Sequence, residues 1–260
     1  MDWNAYFARI GVAPPQRADL DALRAVHEGH AFSIPFENVD VFLHRDISLE
    51  PEDLLDKLVL RRRGGYCFEM NALLALALRE LGFAVQDLIC RGRRPEGLGM
   101  PLHRMELVSL AGERWVCDVG YGGDCPVSPL RLEVGLAQEQ YGRTFRVMRD
   151  KTMDYRLEVL RDGVFAPTMA FDDRQAHPGD FVMGNFYTSR FPASNFRRSL
   201  MVTRPMKTGR ISLSDRRLRV KDGGTVTEWV AETPEALGGI LHQQFGIEED
   251  IPADRFAELR

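Results

Sequence analysis

Along the first third of the chain the apolar positions recur every three to four residues, which is the helical spacing. Leu20, Leu23 and Val26 follow Asp19, a residue suited to cap a helix, and Leu54, Leu55, Leu58 and Val59 follow Pro51-Glu52-Asp53, where proline fits the first turn. Gly64-Gly65 is the expected end of this second helix. A third is predicted from about Cys67 to Glu80, apolar nearly all round from Ala72 to Leu78 and stopping at Gly82, so it should be a buried central helix.

From about Ala84 the period becomes two. Arg104-Met105-Glu106-Leu107-Val108, a turn at Ala111-Gly112 and Arg114-Trp115-Val116-Cys117-Asp118 read as one hairpin, and Tyr155 to Leu160 reaches a second turn at Asp162-Gly163. This is antiparallel β structure, either a sheet or a barrel. A helix over roughly 179–187 follows, then strands around 200–204, 211–213 and 218–220. Asp222-Gly223-Gly224 turns the last of these into 225–230, and Pro234 opens a closing helix through Gln244.

Composition narrows the class. At 260 residues the chain divides into one to two domains with a real core, which excludes a stapled miniprotein. A net charge of −4 argues against binding nucleic acid through bulk charge, although arginine outnumbers lysine 30 to 4 and leaves room for a local anion pocket. No basic segment precedes an apolar stretch at the N-terminus, and no apolar run approaches the ~20 residues that span a bilayer. The expected location is cytoplasmic, with no membrane partner. There the four cysteines, Cys67, Cys90, Cys117 and Cys125, are expected to be free thiols, one of them reactive.

Cys67 is the candidate. Arg63-Gly64-Gly65-Tyr66-Cys67 puts a thiol where a tight glycine turn meets a helix start, a setting whose free N–H groups and dipole favour thiolate over thiol and can hold an oxyanion. A nucleophilic cysteine needs an imidazole and a group to orient it. The hairpin supplies both on paper: a two-residue turn sets Leu110 opposite Glu113, Leu107 opposite Val116 and Met105 opposite Asp118. His103 then lies diagonally from Asp118 on the same face. The bland alternatives are a small buried cysteine and a structural histidine.

These segments resemble the arylamine N-acetyltransferases, in R-G-G-Y-C-F-E-M-N around Cys67, H-R-M-E-L-V from His103, D-V-G-Y-G-G from Asp118, I-P-F-E-N from Ile34 and S-x-x-P-x-S-x-F from Ser189 to Phe196. The resemblance implies an α+β fold. A helical N-terminal domain (1–83) would hold the nucleophile, an antiparallel β-barrel (84–178) His103 and Asp118, and a linker helix with an α/β lid the remainder (179–260). It implies transfer of acetyl from acetyl-coenzyme A, as co-substrate, through acetyl-Cys67 to an arylamine, N-hydroxyarylamine or hydrazine. Phe36, Tyr121 and Phe196 would line the acceptor pocket, and Glu37 with Arg63 would form an ion pair behind the cysteine turn. Residues 99–102, Gly-Met-Pro-Leu, depart from the family pattern, which bears on donor contacts more than on the triad. No residues emerge for coenzyme A contacts, and the oligomeric state is left open.

Other readings compete. A thiol hydrolase of transglutaminase or papain type uses the same triad, and an amide synthase of natural-product biosynthesis is a relative within the family. Metal binding by Cys90, Cys117, Cys125 and His103 lacks the paired spacings of zinc sites, so no metal is expected. Arg61-Arg62-Arg63 or Arg197-Arg198 would need a basic face with aromatics to serve nucleic acid, and none is expected as a partner.

Overall fold

Two capped helices begin the chain: Asp2 accepts the Ala5 amide at 3.0 Å and opens α1 (Trp3–Ile10), and Asp19 accepts that of Ala22 at 2.9 Å and opens α2 (Leu20–Ser33). The computed structural model describes residues 1–94 and 96–260. A two-residue strand β1 (Phe36–Glu37) and the short helix α3 (Val39–Phe42) follow. The helix predicted from Pro51 is α4 (Pro51–Leu55), widening into a π turn over Asp56–Leu60.

It ends there, before the glycines assigned to stop it. Arg62 takes the left-handed φ of +54° that ends the turn. Gly64 answers a different need: a Cβ there would overlap the Pro35 carbonyl oxygen, so only glycine lets these two stretches of backbone meet. Immediately after comes α5 (Cys67–Glu80), buried on nearly every side, with Gly82 at φ +88° just beyond its end.

The described residues in the middle of the chain form nine antiparallel strands: β2 (Ala84–Arg94), β3 (Gly97–Leu98), β4 (His103–Leu110), β5 (Glu113–Cys117), β6 (Leu130–Arg131), β7 (Gln138–Gln140), β8 (Arg143–Arg149), β9 (Tyr155–Arg161) and β10 (Val164–Phe171). Eight run in the order β6-β5-β4-β2-β10-β9-β8-β7, with β3 beside β2. Side-chain amides nearly close this sheet into a barrel. Gln138 exchanges two 2.9 Å hydrogen bonds with the Arg131 backbone, and Gln140 takes the Val127 and Ser128 amides while donating to Ser128 O. Strand β4 is buried on both faces: Met105 and Leu107 fill the barrel, while Val108 joins the core under α5. That double burial puts α5 and β4 in contact, and with them Cys67 and His103.

The helix expected near residues 179–187 is α6 (Pro178–Arg190), followed by α7 (Asn195–Arg198). Strands β11 (Met201–Met206), β12 (Gly209–Ser214), β13 (Arg217–Asp222) and β14 (Thr225–Val230) then form a meander, and β1 adds to its free edge against β11. Helix α8 (Pro234–Ile240), a π turn over Leu241–Phe245 and α9 (Ala253–Ala257) close the chain. Leu237, Leu241 and Phe245 pack on Val202, Leu213 and Leu218. No helix among the described residues is long and apolar enough to cross a membrane.

Candidate active site

Cys67 is the first residue of α5, where Tyr66 N donates to Glu69 Oε2 at 3.1 Å and fixes the first turn. The thiol is 5% exposed and lies 3.6 Å from Leu102 O. Gly120 passes so near that a Cβ there would come within 2.8 Å of Cys67 Cα.

The hairpin turns as its sequence requires. Ala111 and Gly112 take φ of +51° and +81°, and the register sets Leu110 opposite Glu113, Leu107 opposite Val116 and Glu106 opposite Cys117. The ladder stops at Cys117, so Asp118 leaves the sheet. Its Oδ2 lies 2.7 Å from His103 Nε2. That leaves Nδ1 as the ring nitrogen not engaged by Asp118, and Cys67 is among the groups that favour the charged imidazole.

Burial alone would push His103 down. The Asp118 carboxylate, its hydrogen bond and Cys67 outweigh it and hold the imidazole up at about 10. Burial would likewise raise Asp118, but His103, Asn71 Nδ2 on Oδ1 at 2.9 Å and Gly120 N on the same oxygen at 2.9 Å keep it below the usual carboxylate range. Asp118 is 1% exposed, so these bonds replace solvent for its charge.

Two of the three aromatic candidates pair with each other. Phe36 and Phe196 lie together, ring centres 6.2 Å apart, and Tyr66 adds a third ring 6.0 Å from Phe196. Asn38 accounts for this pairing, because its amide donates to Phe196 O and Ser199 O at 2.8 Å and accepts from Met201 N at 2.7 Å. Tyr121 meets the His103 ring edge-on at 5.5 Å, and a Cβ at the adjoining Gly122 would come within 2.8 Å of the Phe36 ring.

Behind the cysteine turn, Arg63 Nη2 lies 2.7 Å from Glu37 Oε1, and the pair belongs to a larger network. Lys57 Nζ is 2.7 Å from both Asp40 and Glu69, and Arg63 also reaches Asp40 and, at 2.9 Å, Glu249. Burial disfavours both cations, but the surrounding carboxylates hold each above its ordinary value.

Sequence reasoning did not single out Asn71 or His27. Asn71 had a readable signal, four residues after Cys67 and so on the same face of α5. His27 contacts Asp118 from 91 positions away and had none. All four cysteines are free, and Cys90 pairs across strands with His103. Among the described residues no three His, Cys, Asp or Glu side chains gather to hold a metal ion.

Comparison with known proteins follows the same lines. A family described as N-acetyltransferase matches residues 19–253. An arylamine N-acetyltransferase from Escherichia coli K12 is 36% identical over 95% of this chain and 89% of its own. One from Salmonella typhimurium, also named an N-hydroxyarylamine O-acetyltransferase, is 36% identical over 94% and 88%. A structure of the Mycobacterium marinum arylamine N-acetyltransferase in complex with CoA superposes with a TM-score of 0.91 at 30% identity, covering 99% of this chain and 98% of that one.

Proposed function

The chain belongs to the arylamine N-acetyltransferase family, and from that membership we propose that Cys67, His103 and Asp118 carry out its reaction in two steps through an acetyl-cysteine. It is an acyltransferase, moving an acetyl group from acetyl-coenzyme A to an arylamine. The observation that carries the two-step reading is the 2.7 Å contact of Asp118 with His103, which begins the strand packed against the helix that starts at Cys67.

In the first step Cys67 Sγ attacks the thioester carbonyl. His103 gives its proton to the departing coenzyme A sulfur as the tetrahedral intermediate collapses, leaving acetyl-Cys67 and a neutral imidazole. One thioester has replaced another, so the acyl group stays activated. In the second step the amine nitrogen attacks this thioester and loses its proton to His103, and Cys67 leaves as thiolate beside the restored imidazolium. Asp118 keeps the imidazole oriented and supports its charge in both steps.

Phe36 and Phe196 would stack on a planar acceptor, with Tyr121 closing the side next to His103. N-hydroxyarylamines and hydrazines fit the same requirement for a flat, weakly basic nucleophile. In this reading residues 1–83 bring the nucleophile, 84–178 the imidazole and carboxylate, and 179–260 the cover that carries Phe196.

Mass spectrometry after exposure to acetyl-coenzyme A tests the intermediate: one acetyl group on Cys67 is expected, and none on Cys67→Ser. Adding aniline should discharge it as acetanilide, and varying both substrates should give parallel double-reciprocal lines. Intersecting lines, or acetylation elsewhere, would overturn the two-step route, and discharge to acetate alone with aniline present would favour a hydrolase.

A further inference from the structure

Asp118 N–H has no strand partner, because the ladder ends one residue earlier, yet it is not left unpaired in a site almost closed to water. It donates to His27 Nε2 at 3.0 Å. A ring nitrogen that accepts carries no proton, so the proton of a neutral His27 is on Nδ1, and Nδ1 faces Val127 O at 3.0 Å, an atom that can only accept. Both ring nitrogens are thereby assigned. From this geometry we propose that His27, as the neutral Nδ1–H tautomer, is a positioning residue of the acetyl transfer, holding the Asp118 backbone so that its carboxylate meets His103. The inference rests on the Cys67-His103-Asp118 reading.

The rest of the Asp118 environment shows why one more bond matters. Its Oδ1 is taken by Asn71 and Gly120, and the next amide, Val119 N, donates to Asn71 Oδ1 at 2.9 Å. Helix α5 thus holds the carboxylate and the residue after it, and α2 holds the backbone of Asp118 itself. His27 is fully buried, and a second proton on Nε2 would set two N–H groups against each other there. Burial accordingly keeps it below its ordinary value, against the pull of the Val127 carbonyl, Asp118 and Glu28.

The test compares two amides in the full-length enzyme. The longer amide of His27→Gln carries an oxygen to the position of Nε2, whereas the shorter one of His27→Asn ends at the level of Nδ1 and reaches Val127 only. His27→Gln should keep kcat within about threefold, and His27→Asn should lose about tenfold or more in kcat with KM for acetyl-coenzyme A unchanged. The His103 titration, followed by NMR, should move towards the ordinary histidine range in His27→Asn and stay in His27→Gln. Wild-type kcat and titration in His27→Asn would overturn the proposal, as would equal losses in both variants with His103 unmoved. Should His27→Asn fail to fold, imidazole nitrogen shifts and a coupling across the Asp118 N–H···Nε2 bond decide on the wild-type protein, an Nε2–H tautomer overturning it. Asp118→Asn is measured alongside. If it stays active, the triad reading itself fails; if it is inactive while His27→Asn is not, only the role of His27 fails.

Discussion

Behind the Cys67 turn, Lys57 and Arg63 are each shared among two or three carboxylates, whereas beside the thiol His103 has one carboxylate to itself. Both places are buried and both hold charge. In the first, every member is bound from several directions, and Glu249 near the C-terminus ties into Arg63 near the nucleophile. Moving a proton there would strand a buried charge, so that network suits a fixed support. In the second, neutral groups hold Asp118, and only the imidazole it faces is left to exchange a proton. Surrounding a charge with other charges makes a brace, while surrounding it with amides leaves one bond free for chemistry.

The difference can be broken from either side. Asp118→Asn should lower the transfer rate by about 10³-fold or more with the fold intact, because orientation and support of the imidazolium go together. Rates in a stopped-flow burst, beside a thermal melt, check this; a near-wild-type rate would remove the carboxylate from the reaction. Arg63→Ala should do the reverse. Leaving Glu37 buried without its partner costs about 3–5 kcal/mol, a fall in Tm on the order of 10 °C, while folded molecules acetylate at close to the normal rate. Unchanged Tm would mean the network is not a brace.

Phe196→Ala should slow the acceptor step by roughly tenfold if about 1.4 kcal/mol of ring contact is lost, and leave acetylation of Cys67 nearly unchanged. Equal effects on the two half-reactions would place this ring outside the acceptor pocket.

The smallest effect concerns another buried carboxylate, on the strand that carries His103. Among the described residues Glu106 has Arg104 on one oxygen and no hydrogen-bond partner on the other, and burial lifts it to about 8. An acid raised above its ordinary 4.5 contributes stability that is present below that value and lost as pH rises through 8. His103, raised from 6.5 to about 10, contributes stability present below 6.5 and lost as pH climbs through 10. Denaturant melts should therefore weaken from pH 5 towards 10, and Glu106→Gln should flatten the lower part of that decline. An unchanged profile would show that Glu106 ionises freely in the fold.

Much of this arrangement was legible in the chain because its signals are local. Asp19 caps α2, Cys67 begins α5, and a two-residue turn at Ala111-Gly112 fixes the parity that puts His103 and Asp118 on one side of a hairpin. Each depends on residues a few positions apart. The misplaced stop at Gly64-Gly65 shows the limit: a glycine needed for close approach to Pro35 reads the same as one needed for a left-handed turn. Strand β8 was not evident because arginines break its alternation, leaving Phe145 and Val147 as its buried signal.

By itself the sequence determined the main helices, the residue at the start of the central one and the pairing of the hairpin, since backbone periodicity and turn geometry are decided within a few residues. Only the tertiary structure decided that Phe36–Glu37 joins a sheet formed some 160 residues later, that glutamine side chains nearly close the barrel, and that His27 meets Asp118. Those contacts have no period and no fixed spacing. They exist because burying helix and barrel against each other leaves particular polar groups without water, and each must then find its partner across the fold.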